Sequence, residues 1–309
     1  MALTQDTEVT LERPTCCGYA AGRAFYGVKN SIYYSQLMEG EAVDFLNRCY
    51  SKNDPTAEQL SDILDTDGGV IQVHGAVNIT QVEAYGNGVV VYAQNGVWYI
   101  GGTTSGFTAT NFSIKNISHS GVASPQSVVN VENEQFFWSL EGIYKVTTNQ
   151  FGEVDASSII EGTMQTFYNE IPVQSKINSC GAYNRLKKQI EWFYSSTAQT
   201  GTTDYKYAKN LSIIFDVRTQ GLWPQQYNST MSEAAGTFLV GAVDTNSSVE
   251  DTDLTYLAIT TGTPSSTQTY SADFSYKNDV TFKDFGTSYP TAYIETRGQT
   301  TVPNALRGI

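Results

Sequence analysis

The sequence predicts a mainly β protein, a propeller-like assembly of antiparallel hairpins with two short helical insertions. Three observations predict it. A short object is built three times: FYGVKNSIYY at 25–34, VYAQNGVWYI at 91–100 and FWSLEGIYKV at 137–146 each set aromatic and aliphatic residues on both sides of a polar turn. The composition, with 20 Tyr, 14 Phe and 4 Trp beside abundant Ser, Thr, Asn and Gly, favours strands and turns over helices. The units also recur every ~45–65 residues, the range of propeller blades.

Taken in chain order, the first hairpin turns through Lys29-Asn30-Ser31 and sets Phe25 and Tyr26 against Tyr33 and Tyr34. A helix over about 54–64 follows, with Asp54 capping, Pro55 at the first helical position, and Leu60, Ile63 and Leu64 supplying the apolar side. The second hairpin turns at Asn95-Gly96, two residues that tolerate positive φ, and sets Tyr92 against Trp98. The third turns at Glu141-Gly142 and sets Trp138 against Tyr144. A second helix, over 157–171, spaces Ile160, Met164, Phe167 and Ile171 by four, three and four, and Pro172 closes it. Met164 is read as a core residue. Gln189–Tyr194 is expected to pair with Leu211–Phe215, and Leu254–Ile259 with Thr267–Tyr270 and Phe274.

The expected structural residues are therefore Tyr26, Tyr33, Tyr92, Gly96, Trp98, Trp138, Gly142 and Tyr144. A buried aromatic removes ~150–250 Å² from water, and an isolated hairpin is at best marginal, so each unit must pack on others. No linker separates the halves. One β-rich domain is expected over 1–309, with a looser part from about 195.

The formal charge of −13, from 31 acidic and 18 basic residues, disfavours gripping nucleic acid, which needs clustered Lys and Arg. Cys16, Cys17, Cys49 and Cys180 lack metal-ligand spacing and are expected as reduced, buried thiols. The first residues show no apolar leader, and no stretch reaches the ~18 apolar residues of a membrane span.

Reactive residues are thinly spread. His74 ends the alternating run Val70–His74 and is expected on a strand, facing solvent or hydrogen-bonded; His119 is expected in a turn. Asp65-Thr66-Asp67-Gly68-Gly69 resembles the opening of a calcium loop but lacks the later ligands, which favours a turn leading into a strand. No nucleophile elbow or phosphate loop is present, so no catalytic, cofactor or metal residue is assigned.

These segments, in their order, resemble the N-terminal part of tail nozzle proteins, also called tail tubular protein B, of short-tailed bacteriophages. The resemblance runs from Cys17 to Tyr144. It is carried by Gly22–Tyr26, Ile32–Ser35, Cys49-Tyr50, Asn53–Thr56, Asp65–Gly69, Asn95–Trp98, Phe107–Thr110, Phe137–Ser139 and Gly142–Tyr144. It implies a non-enzymatic virion structural protein of the tail, made in the host cytoplasm. Such proteins form a ring, typically a hexamer, below the tail adaptor protein and beside other tail or fibre proteins. Genomic DNA passes through that ring without specific binding. The chain is shorter than nozzle proteins usually are, so the distal tip is either reduced or carried by another polypeptide. An acidic bore would let DNA slide, screened over ~8 Å at physiological salt.

The competing expectation is a carbohydrate-binding or carbohydrate-cleaving propeller, a tail-associated receptor-binding protein, with Trp192 and Trp223 as sugar platforms. An adaptor ring is disfavoured, because those proteins are chiefly helical.

Overall fold

The computed structural model describes residues 13–37, 63–102, 106–185, 187–195, 209 and 211–226, and three strands between 234 and 273. The chain divides into two units, Met1–Ser275 and Tyr276–Ile309, and every described residue belongs to the first. The first sheet comprises β1 (Cys16–Ala20), β2 (Arg23–Val28), β3 (Ser31–Tyr34) and β4 (Gly69–Gln72). The second holds β5 (Ile79–Tyr85), β6 (Gly88–Ala93), β7 (Gly96–Gly101) and β8 (Ser113–Ser118). The third holds β9 (Val129–Val131), β10 (Glu134–Trp138), β11 (Ile143–Thr148) and β12 (Val154–Ser158).

Two short helices follow, α1 (Gln165–Glu170) and α2 (Val173–Ile177). The fourth sheet is β13 (Cys180–Asn184), β14 (Gln189–Tyr194), β15 (Leu211–Asp216) and β16 (Leu222–Gln226). The fifth has three strands, β17 (Ala234–Ala242), β18 (Leu254–Thr263) and β19 (Ser266–Asp273). Every sheet is an antiparallel meander of strands consecutive in sequence, the construction of a propeller blade. The protein is mainly β and propeller-like, as its composition and spacing predict.

The alternation of side chains explains how the sheets join. β6 is buried at every position. Val89, Val91 and Ala93 enter the core shared with the first sheet, while Val90 and Tyr92 enter the core shared with the third. β10 repeats the arrangement: Phe137 faces the second sheet, and Phe136 and Trp138 face the fourth. Period-two alternation thus feeds two cores from one strand. At ~1.5–3 kcal/mol for each fully buried Val or Phe side chain, three such cores explain why no hairpin has to stand alone.

That geometry corrects the expected aromatic pairs. Phe25 lies opposite Tyr34 and Tyr26 opposite Tyr33, as the first hairpin predicts. Tyr92, however, lies opposite Val97, and Trp98 opposite Val91, so Tyr92 and Trp98 occupy different faces. Trp138 lies opposite Ile143, and Tyr144 opposite Phe137, with the same result. Tyr92 and Trp98 therefore serve different neighbouring sheets, as do Trp138 and Tyr144, while Tyr144 stacks on Phe137 across its own hairpin.

The turns also shift. Val28 pairs with Ser31, so the first turn is Lys29-Asn30, with Lys29 at φ 52°. Ala93 pairs with Gly96, which makes Gln94-Asn95 the second turn and Gly96 the first residue of β7. Neither Asn95 nor Gly96 has a positive φ. Glycine is needed at 96 for closeness: a Cβ there would stand 2.8 Å from the Ser118 carbonyl oxygen and 2.9 Å from Trp98 Cη2. Asn95 earns its place through its side chain, which accepts from Val77 N at 2.8 Å and donates to Gly75 O at 2.7 Å. Gly142 does lie in the third turn, where its carbonyl accepts from Ser139 N at 2.8 Å.

Most of the helix expected at 54–64 lies outside the described residues; Ile63 and Leu64 are described and are not helical. The helix expected at 157–171 is shorter. Ser157 and Ser158 extend β12 and pair with Lys145 and Tyr144, because β11 offers an open edge there. The chain becomes helical only at Gln165, and a second short helix follows Pro172. Ile160, Ile171 and Met164 still reach the core. β14 pairs with β15 and β18 with β19 as expected, while Phe274 lies outside the described residues.

Candidate functional site: the seams between sheets

The polar chemistry gathers at the seams. In the first sheet Arg23 is buried, and its Nη1 donates to the carbonyls of Ser35 and Asp67, both at 2.6 Å, while Nη2 donates to that of Asp65. Its guanidinium carbon lies 5.6 Å from the Tyr34 ring and 5.8 Å from the Phe107 ring, within cation–π range. Burial pushes the Arg23 pKa down, opposed by Tyr34, Asp67 and Asp65. The Asp65–Gly69 segment is the expected turn into β4, and its carbonyls point at a cation of the chain's own. The Asp67 carboxylate accepts from Leu64 N at 2.9 Å, and that of Asp65 accepts from the Thr110 hydroxyl. Among the described residues no group of three or more His, Cys, Asp or Glu is placed to hold a metal ion.

Between the second and third sheets lies a cleft of ≈ 580 Å³. Gln135 crosses this seam: its Nε2 donates to Ala84 O at 2.7 Å and its Oε1 accepts from the Tyr92 hydroxyl at 2.8 Å. Glu83 accepts from Asn130 at 2.9 Å and from Gln81 at 2.5 Å, Glu134 pairs with Lys145 at 3.0 Å, and the Tyr85 hydroxyl stands 3.2 Å from Thr148 Oγ1. The walls are acidic and rich in acceptors; the Gln135, Asn130–Glu83 and Tyr85–Thr148 contacts tie the two sheets together, while Gln81–Glu83 and Glu134–Lys145 lie within one sheet each. Tyr92 meets Phe137 edge to face at 5.3 Å, and Phe137 stacks on Tyr144 at 5.4 Å. Burial raises the Tyr92 pKa well above its ordinary value.

The third seam joins Trp138 and Trp192, both fully buried, with ring centroids 6.3 Å apart. Tyr168 approaches Trp138 edge to face at 5.1 Å and donates its hydroxyl to Ser139 O. Trp192 Nε1 donates to Ser127 O at 2.9 Å, and the Ser127 hydroxyl accepts from Trp138 N at 3.1 Å. A Trp held this way offers no face to a sugar. Trp223, on β16, keeps about a third of its surface exposed. Lys176 is also buried: its Nζ donates to Leu140 O at 3.0 Å and lies 4.3 Å from the Tyr168 ring centre, and burial lowers its pKa.

The remaining reactive residues stay apart. His74 is exposed in a turn two residues beyond β4, past the strand expected to hold it, and His119 is exposed in the bend after β8. Cys180 is buried, but Cys16 is half-buried and Cys17 exposed, contrary to the expected burial. Adjacent residues on β1 face opposite sides, so one of the pair must leave the core. Burial raises the thiol pKa of Cys16 and Cys180, and Cys49 lies outside the described residues. Of the sequence-predicted residues, Tyr92 and Tyr144 meet at the second seam, each against Phe137, and Trp138 lies at the third. Trp98 lies at the first, in the core that Phe25, Ile32 and Tyr34 share with the second sheet, while Tyr26 and Tyr33 cross the opposite face of the first sheet.

Sequence reading missed Arg23, Gln135, Ser127 and Lys176. Only Arg23 left a signal, a lone charge among the small and aromatic residues of Gly22–Tyr26. Among the described residues no helix is long and apolar enough to cross a membrane. No protein-family model matches the chain, and no curated protein matches it in sequence. Among solved structures it is similar to a protein from Lactobacillus plantarum, with a TM-score of 0.43 and 11% identity over 87% of this chain and 73% of that one. It is also similar to the N-terminal domain of Nup159, with a TM-score of 0.44 and 11% identity over 84% of this chain and 59% of that one.

Proposed function

We propose that this chain is a structural subunit of a short phage tail, a nozzle-type protein whose copies form a ring below the adaptor and extend the channel for DNA. One observation supports this reading above others. The segments that resemble nozzle proteins, distant in sequence, converge on one buried point: Arg23 of Gly22–Tyr26 binds the carbonyls of Ser35, Asp65 and Asp67, while Phe107 packs on Phe25 and Tyr34 at 5.2 and 5.1 Å. Segments tied to one clamp form a single structural unit, and that joint packing is what supports this reading.

In this reading the protein performs no reaction. Its sheets supply a rigid wall, and its charge of −13 disfavours a grip on the phosphates of passing DNA. Its place is the virion tail, with the adaptor and other tail or fibre proteins as neighbours. Negative-stain imaging of the purified chain tests this directly. Rings, hexameric by mass, are the expected result. A monomer that binds a glycan array would overturn it in favour of the carbohydrate-binding alternative, for which the exposed Trp223 is the supporting feature.

A further inference from the structure

The second short helix, α2, has its polarity inverted. In α2 the residues turned inward are Ser175 and Lys176, whereas Val173 and Ile177, one turn apart on the same helix face, are 53% and 41% exposed. Leu140, 46% exposed in the third hairpin turn, and Phe167, 36% exposed on α1, add to this surface. Lys176 Nζ on Leu140 O, and Gln165 Nε2 on Glu141 O at 2.8 Å, tie the helices to that turn. Glu141, Glu161 and Glu170 are exposed around it, and the one cation of residues 157–178, Lys176, is buried beneath it. Single exposed apolar residues are ordinary; three on one small insertion, with Leu140 in the turn it is tied to, mark a contact surface.

The other end of the fourth sheet carries the opposite charge. Arg185, Lys187 and Lys188 occupy the β13–β14 turn and Arg218 the β15–β16 turn. Val217 N donates to Lys188 O at 3.0 Å and Arg218 Nη2 to Lys187 O at 3.4 Å, so the two turns form one surface. Two acids stand there: Glu132, 3.8 Å from Lys188, and Asp216, 3.4 Å from Arg218. Among the described residues cations outnumber acids at this end, in a chain whose total is −13. α2 leads into β13 at Cys180 and the basic turn follows Asn184, so a five-residue strand separates the two surfaces, roughly 17 Å.

We propose that copies of this chain associate head to tail, the basic end of one fourth sheet resting on the acid-rimmed apolar patch of the next copy. The two surfaces complement each other in charge, and they lie at opposite ends of one rigid sheet, so a copy cannot satisfy its own patch. Contacts of this heterologous kind generate rings or filaments, and complementary rims set their register. The inference rests on the assembly reading above and names the surface that assembly uses.

The test uses the full chain and light scattering after size exclusion. A patch variant, Val173→Asp with Ile177→Asp, and a basic-end variant, Arg185→Glu with Lys187→Glu, should each run as monomers with unchanged circular dichroism. Mixed in equal amounts they should form dimers and nothing larger, because the mixture holds one intact pair of surfaces per two chains. Should the aspartates impair folding, Glu161→Lys with Glu170→Lys replaces the patch variant and should weaken association at least tenfold. Oligomers of wild-type size from both variants would overturn this surface and leave the assembly reading standing. A wild-type chain that is monomeric at every concentration would overturn both. Variants that stay monomeric when mixed would overturn the head-to-tail pairing.

Discussion

The Tyr92 hydroxyl donates a 2.8 Å hydrogen bond to Gln135 Oε1 across the seam between the second and third sheets, with both residues buried. Gln135 answers through Nε2 to the Ala84 carbonyl, so one amide spans two sheets. Tyr92→Phe or Gln135→Leu leaves a buried polar atom without its partner and is expected to cost about 1–3 kcal/mol. The two changes together should cost less than their sum, with a coupling of about 0.5–3 kcal/mol in urea unfolding. Strict additivity would show that the bond does not join the sheets energetically.

Arg23 holds three backbone carbonyls with a forked guanidinium. Arg23→Met should destabilise by roughly 3 kcal/mol or more, since each orphaned buried acceptor costs about 1–3 kcal/mol. Arg23→Lys should be nearly as harmful, because an ammonium lacks the planar fork. Thermal unfolding measures both, and limited proteolysis should show cleavage near 63–69 in the variants. A lysine variant as stable as the wild type would contradict the clamp.

The two buried tryptophans of the third seam differ in one bond. Trp192 Nε1 donates to Ser127 O, whereas Trp138 Nε1 has no hydrogen-bond partner among the described residues. Replacing either with Ala should cost about 3–5 kcal/mol through the cavity left behind. Replacement with Phe should separate them: Trp192→Phe also strands an acceptor, worth about 1–3 kcal/mol, and Trp138→Phe does not. Denaturant titration of the two Phe variants decides the order.

Asp216 anchors the β15–β16 turn. Its pKa is lowered to about 2, first by the Thr219 backbone N–H and then by Arg218 and Gln189. A carboxylate held below its unfolded value of ~3.9 stabilises the fold above that pH and loses its contribution as pH falls toward the folded value. Asp216→Asn should therefore lower the melting temperature at neutral pH, and the difference from wild type should shrink between about pH 4 and pH 2. A difference constant across that range would assign the effect to geometry instead of charge.

Much of this fold was legible in the residues. The hairpins at 25–34, 91–100 and 137–146 became β2–β3, β6–β7 and β10–β11, because alternating apolar residues beside Gly and Asn leave few other choices. The turn positions were less legible. Asn95-Gly96 reads as a positive-φ turn, but the crowding of Gly96 against Ser118 O and Trp98, and the bonds of Asn95 to Val77 and Gly75, depend on neighbours far along the chain. The start of α1 was hidden for a similar reason: helical spacing from Ile160 onward cannot reveal that β11 will claim Ser157 and Ser158.

By itself, the sequence determined the class of the protein, the number and order of its aromatic hairpins, and its acidity. These are local or additive properties, set by pleat period, turn chemistry and formal charge. The tertiary structure alone decided which ring meets which. Tyr92 turns to Phe137 and Trp138 to Trp192 because adjacent strand positions face opposite sheets, and the identity of the sheet on each side is a long-range fact. The same long-range packing drew Arg23 to three carbonyls and buried Lys176 while leaving Val173 and Ile177 exposed, since a buried charge is placed by the acceptors that surround it and not by its neighbours in the chain.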